Sequence, residues 1–81
     1  MKATIASPVD VAAAAVISTC TAVYHGAEVH FELRNDGHCF RWYYPDNSST
    51  GLYRGTEDEA RRAMMFRAPE FAREYVVRSA R

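Results

Sequence analysis

Val29, Phe31 and Leu33 alternate with Glu28, His30, Glu32 and Arg34, and a few residues later Phe40, Trp42 and Tyr44 alternate with Arg41 and Tyr43. A period of two places one set of side chains on each face of a strand, so both segments read as half-buried strands with an apolar face and a polar face. Between them lies Asp36-Gly37, a preferred pair for a two-residue type I′ turn, whose central residues both need positive φ. With those two residues as the loop, Leu33 faces Phe40, Phe31 faces Trp42 and Val29 faces Tyr44, while Glu32 faces Arg41, His30 faces Tyr43 and Arg34 faces Cys39. A slip of one residue would break both patterns, which predicts a hairpin over 28–44, with a longer loop that takes in Asn35 as the alternative to the two-residue turn.

The flanking segments complete an α+β expectation. Ser7-Pro8-Val9-Asp10 has the form of a helix start, and the apolar run after it predicts a helix from Pro8 to Cys20, with a short edge strand over 1–6 before it. After the hairpin, the turn formers Pro45 to Ser49 lead into a short third strand, Thr50 to Arg54, carrying Leu52 and Tyr53. Thr56-Glu57-Asp58-Glu59 is a capping box, and Ala60, Ala63, Met64 and Phe66 form the inward arc of the helix it starts. Pro69 is expected to end or kink that helix near Arg67, with a last helix to Ser79 burying Phe71, Ala72 and Tyr75. The expected fold is one domain over 1–81. It comprises an N-terminal helix, a three-stranded antiparallel sheet, and a kinked C-terminal helix or two short helices packed on one face.

With 81 residues, of which 48% are apolar and 25% charged, the chain has the composition of one small globular domain and not of a disordered one. A core this small supplies only about 3–5 kcal/mol, so a partner or homodimer adds appreciably to stability. Ten basic residues balance ten acidic ones, which removes the overall positive field that drives non-specific nucleic-acid binding. Nine of the ten basic residues are Arg, a bias read first as codon usage and second as a preference for bidentate pairing and aromatic stacking. Two cysteines, Cys20 and Cys39, without CxxC spacing, point to a reducing, cytoplasmic setting. The run Val11 to Ile17 before Ser18-Thr19-Cys20 has the outline of a signal peptide, but Pro8 and Asp10 precede it and Lys2 alone is basic, so secretion is not expected. The run is also too short to span a bilayer, so no membrane partner is expected.

No catalytic set converges. His30 beside Tyr43 and Glu32 is the one group able to move protons or cleave RNA, and ordinary cross-strand pairing on a wet face accounts for it. No metal-ligand spacing and no Gly-rich phosphate loop is present, so neither metal nor cofactor is expected. Arg34, Arg41, Tyr43, His30 and Glu32 remain on the polar face of the hairpin, a composition favoured at interaction hot spots. Met65, between Arg61 and Arg62 by helical spacing and away from the inward arc, is a second candidate contact.

Asp36-Gly37, Tyr44-Pro45-Asp46 and Gly55-Thr56-Glu57-Asp58-Glu59-Ala60 together resemble the strand–turn–strand–helix core of HicB-type antitoxins, over about the middle half of the chain. The PGC turn of that family is replaced by Asn47-Ser48-Ser49, and its architecture needs no N-terminal helix. The α-β-β-β-α order also resembles double-stranded-RNA-binding domains, whose basic helix start is replaced here by Glu57, Asp58 and Glu59. The expected function is a non-enzymatic protein-binding module acting on a host protein or nucleoprotein complex by occluding its surface, as small phage or mobile-element inhibitors, anti-CRISPR proteins included, do. The alternative is a nucleic-acid-binding or antitoxin-type regulatory domain using Arg61, Arg62, Arg67, Arg73 and Arg78, and a third reading is a small ribonuclease using His30 and Tyr43.

Overall fold

A computed structural model describes residues 16–81; the strand expected over 1–6 and the part of the expected helix over 8–15 lie outside the described residues. Four antiparallel strands form one sheet in the order β1-β2-β3-β4: β1 Val16–Tyr24, β2 Ala27–Asn35, β3 Phe40–Tyr43 and β4 Ser49–Arg54. One helix, α1, spans Glu57–Ser79 and packs against all four strands. The class is α+β, as the sequence indicates, but among the described residues the sheet has four strands where three are expected.

The additional strand corrects the reading of Val16–Cys20 as helix. Val16, Ile17, Thr19, Thr21 and Val23 are β-branched, and the segment alternates between half-buried and exposed positions along its whole length. Cys20, Ala22 and Tyr24 pack on the core while Thr19, Thr21 and Val23 face outward. His25 and Gly26, at φ 49° and 82°, form the two-residue turn into β2, with Tyr24 opposite Ala27. Both central residues lie in the left-handed region, as a type I′ turn requires.

The hairpin of β2 and β3 exists with a register two residues from the expected one. Leu33 faces Trp42, Glu32 faces Tyr43, Arg34 faces Arg41 and Asn35 faces Phe40, so the loop is Asp36 to Cys39. Only Gly37 of the expected turn pair has positive φ, at 92°, and its N–H donates to Asn35 Oδ1 at 2.9 Å while Asp36 N–H donates to Cys39 O at 2.8 Å. Because the shift is even, every side chain keeps its face. Val29, Phe31, Leu33, Trp42 and Tyr44 are buried with Leu52 of β4 and with Ala60, Met64, Ala68, Phe71 and Ala72 of α1.

Thr56 caps α1, its Oγ1 accepting from Glu59 N–H at 3.2 Å, as the capping box predicts. Pro69 neither ends nor divides the helix, which runs on through it. Ala68 before it and Phe71 and Ala72 after it are all buried on the sheet, and that burial offsets the backbone cost of a proline within the helix. Phe66, expected on the inward arc, is instead 84% exposed, because at 3.6 residues per turn it lies roughly 200° round from buried Met64.

Candidate functional site

The helix covers one face of the sheet, and no described element covers the other. On that outer face the register assembles two rows across the strands: Arg34, Arg41 and Tyr53 in one, and Glu32, Tyr43 and Ser49 in the next. Two arginines directly opposite each other repel, so each needs a partner. Arg34 donates to Glu32 Oε1 at 2.7 Å and to Asn47 Oδ1 at 2.5 Å, and its guanidinium lies 4.4 Å from the centre of the Tyr43 ring. Arg41 Nε is 3.4 Å from Asp36 Oδ2, and its guanidinium lies 5.4 Å from the centre of the Tyr53 ring. Tyr43 donates its hydroxyl to the same Asp36 oxygen at 2.5 Å. Partial burial and this bond to Asp36 hold the Tyr43 hydroxyl above the usual tyrosine range.

The result is a continuous array in which Arg34 and Arg41 each stack on a tyrosine and are each flanked by a carboxylate. Stacked guanidinium groups lose little freedom on meeting a partner, because their rotamers are already fixed. Arg41 Nε is buried with no hydrogen-bond partner among the described residues, since Asp36 is poorly aligned to it.

The sequence-derived candidates divide between two surfaces. Arg34, Arg41, Tyr43 and Glu32 come together in the array. His30 shares their face but stands opposite Thr21 of β1, whose Oγ1 is 2.8 Å from its Nδ1, and 3.8 Å from Glu28, so the expected His30–Tyr43 pair is not formed. Arg61, Arg62 and Met65 lie on α1, in the other layer. Arg61 pairs with Glu57 at 3.2 Å and Arg62 with Asp58 at 2.6 Å, while Met65 is 74% exposed. Further along, Arg67 pairs with Glu70, and Arg78 pairs with Asp46 while stacking on Tyr44 and Tyr75. For three members of the array, Asp36, Asn47 and Tyr53, the sequence marks only a turn or strand position. Tyr53 was recoverable, because buried Leu52 beside it fixes its face by alternation. Asn47 reaches Arg34 across 13 residues of chain, at φ 72°, and no local pattern marks it.

A second concavity, about 420 Å³, lies at the end of α1 between Tyr44, Arg73, Glu74, Val77 and Arg78. Burial, with Glu74 nearby, raises the Tyr44 hydroxyl above its ordinary range, and Arg73, Arg78 and Arg81 outnumber Glu74 among the charged groups that line the groove. Among the described residues no group of three or more His, Cys, Asp or Glu is placed to hold a metal, and no helix is long and apolar enough to cross a membrane. Comparison with protein-family models, curated proteins and solved structures finds no match to the chain, so the likeness to HicB-type antitoxins rests on the residues between Asp36 and Ala60 alone.

Proposed function

We propose that this protein is a non-enzymatic module that binds another protein through the outer face of its sheet and acts by covering that partner's surface, the mode of small phage and mobile-element inhibitors such as anti-CRISPR proteins. The observation that carries the reading is the Arg34–Tyr43–Asp36–Arg41–Tyr53 array: two arginines and two tyrosines, the residue types that dominate binding hot spots, held in fixed geometry on a face that no described element covers. Catalysis draws less support. The Tyr43 hydroxyl is bonded to Asp36 and resists ionisation, and His30 is engaged by Thr21, so neither is poised as the base for the other. The nucleic-acid reading draws less support, because Arg61, Arg62, Arg67 and Arg78 each have a carboxylate partner, which leaves Arg73 as the one arginine of that set without an ion pair among the described residues.

The test is affinity capture of the tagged protein from a lysate of its source organism at low and moderate salt, with bound protein and nucleic acid analysed separately. The expected result is one stoichiometric protein complex that survives moderate salt, is lost in Arg41→Glu/Tyr43→Ala and persists in Arg61→Glu/Arg62→Glu. Recovery of nucleic acid alone, released by salt and lost in the helix variant, overturns the proposal in favour of the regulatory-domain reading.

A further inference from the structure

The two edges of the sheet are built differently. β4 has six residues, carries Gly51 at φ 86° next to an irregularity in its pairing with β3, and ends on Arg54. Short length, a bulge and a terminal charge are the usual means by which an edge avoids pairing with another strand. β1 has none of them along most of its length. It runs for nine residues, Val-Ile-Ser-Thr-Cys-Thr-Ala-Val-Tyr, without a charge or a proline, and its one irregularity falls at its start, between Val16 and Ser18. Among the described residues it pairs with β2 alone, and no described element meets the row of backbone donors and acceptors on its other side.

We infer that β1 is a dimer edge, at which two copies of this chain join their sheets through antiparallel β1–β1 pairing about a two-fold axis at Cys20. The strand is self-complementary in that register. Cys20 meets Cys20 of the second copy, Thr19 meets Thr21, Ser18 meets Ala22, and Ile17 comes into line with Val23. Ile17 and Val23 are large apolar residues left 39% and 58% exposed in the single chain, and this register brings them against each other. No like charges are opposed, because the strand has none. On the inner side, a groove of about 230 Å³ runs between β1 and α1, with Trp42 and Met64 at its floor and Arg61 and Met65 at its rim. The inner-face residues that a second β1 brings to it, Ser18, Cys20 and Ala22, are small enough to pass the Met65 rim. The contact is isologous and closes on itself, which gives a dimer and not a filament. It leaves the outer-face array free on both copies, so it stands independently of the proposed binding function.

Sedimentation of the full chain tests the inference, read against charge variants at two exposed outer-face positions. The wild-type protein is expected at twice the 9.1 kDa chain mass. Thr19→Lys/Thr21→Lys opposes lysine to lysine at both symmetry-related rungs and is expected to sediment as a monomer with unchanged far-UV circular dichroism, while Thr19→Lys/Thr21→Glu restores opposite charges and the dimer. Cys20 supplies a second readout, since directly opposed residues of antiparallel strands have Cα atoms about 4.5 to 5.5 Å apart, within disulfide range. Oxidised glutathione, accepting two electrons and the two thiol protons, should link the copies through Cys20, with the link kept in Cys39→Ser and lost in Cys20→Ser. A monomeric wild-type protein, a Lys/Glu variant that stays monomeric, or a link through Cys39 overturns the inference.

Discussion

Trp42 sits where the two layers meet, 1% exposed, with its indole N–H donating to the Ala60 carbonyl at 2.8 Å. That bond ties β3 to the first turn of α1 and satisfies a polar atom that would otherwise be stranded in the core. Trp42→Phe removes this second donor to a carbonyl that keeps its helical bond from Met64 N–H, and opens a small cavity, and should cost about 1–2 kcal/mol in urea unfolding. His25 makes the opposite case, since a non-glycine residue in the left-handed region carries a cost of roughly 1–2 kcal/mol. His25→Asn, which suits a type I′ turn better, should recover about 0.5 kcal/mol of it by the same measure. At Asp46, hydrogen bonds from Ser48 N–H and Oγ, and then the Arg78 charge, hold the carboxyl below its usual range. A depressed folded value means that the unfolded chain takes up the proton first, so this contribution is present above the unfolded carboxylate value, about 3.9, and is lost as pH falls through the lower folded value. Unfolding followed by fluorescence across that acid range should show a steeper loss for the wild-type protein than for Asp46→Asn.

Proline inside a helix removes a hydrogen bond, here the one to the carbonyl of Met65, and crowds the preceding turn. Since α1 continues through Pro69, the cost is retained in the folded state and can be removed. Pro69→Ala should stabilise the protein by about 2 kcal/mol, less than the roughly 3 kcal/mol of an isolated helix interior because the unfolded chain also gains freedom. The strands show a related competition between local and tertiary terms. Alternation in β2 and β3 was legible because a half-buried strand must place every second side chain in the core. The register was not, because a shift of two residues preserves every face; Asn35 and its bond to Gly37 N–H decide it. In β1 the alanines before Val16 suggested a helix, while the β-branched run from Val16 to Val23 carried the signal that the structure follows.

In the molecule as a whole, the helix on one face leaves two separate regions of the sheet uncovered by any described element, the outer face with its Arg/Tyr array and the β1 edge, and these are the two proposed surfaces for association. They share no residue, so their variants should separate. Arg41→Glu/Tyr43→Ala is expected to abolish partner capture while sedimenting as the wild-type protein does, and Thr19→Lys/Thr21→Lys to become monomeric, a separation read by running both measurements on both variants. The candidate site was only half visible for the same reason. Arg34, Arg41, Tyr43 and Glu32 share the polar side of one alternating pattern, whereas Asp36, Asn47 and Tyr53 join them only once β3 and β4 have been laid beside β2.

The sequence by itself determined what local terms control: which residues of 28–44 turn inward, where α1 begins, and which side chains are left for a polar face. Burial of every second residue and satisfaction of free N–H groups at a helix start depend on near neighbours along the chain, so they can be read there. The tertiary structure alone decided that the hairpin closes two residues further along, that α1 continues through Pro69, and that Arg34 and Arg41 stand face to face. Each of these depends on which surface is available to pack or pair against, and that surface exists only when the sheet is assembled.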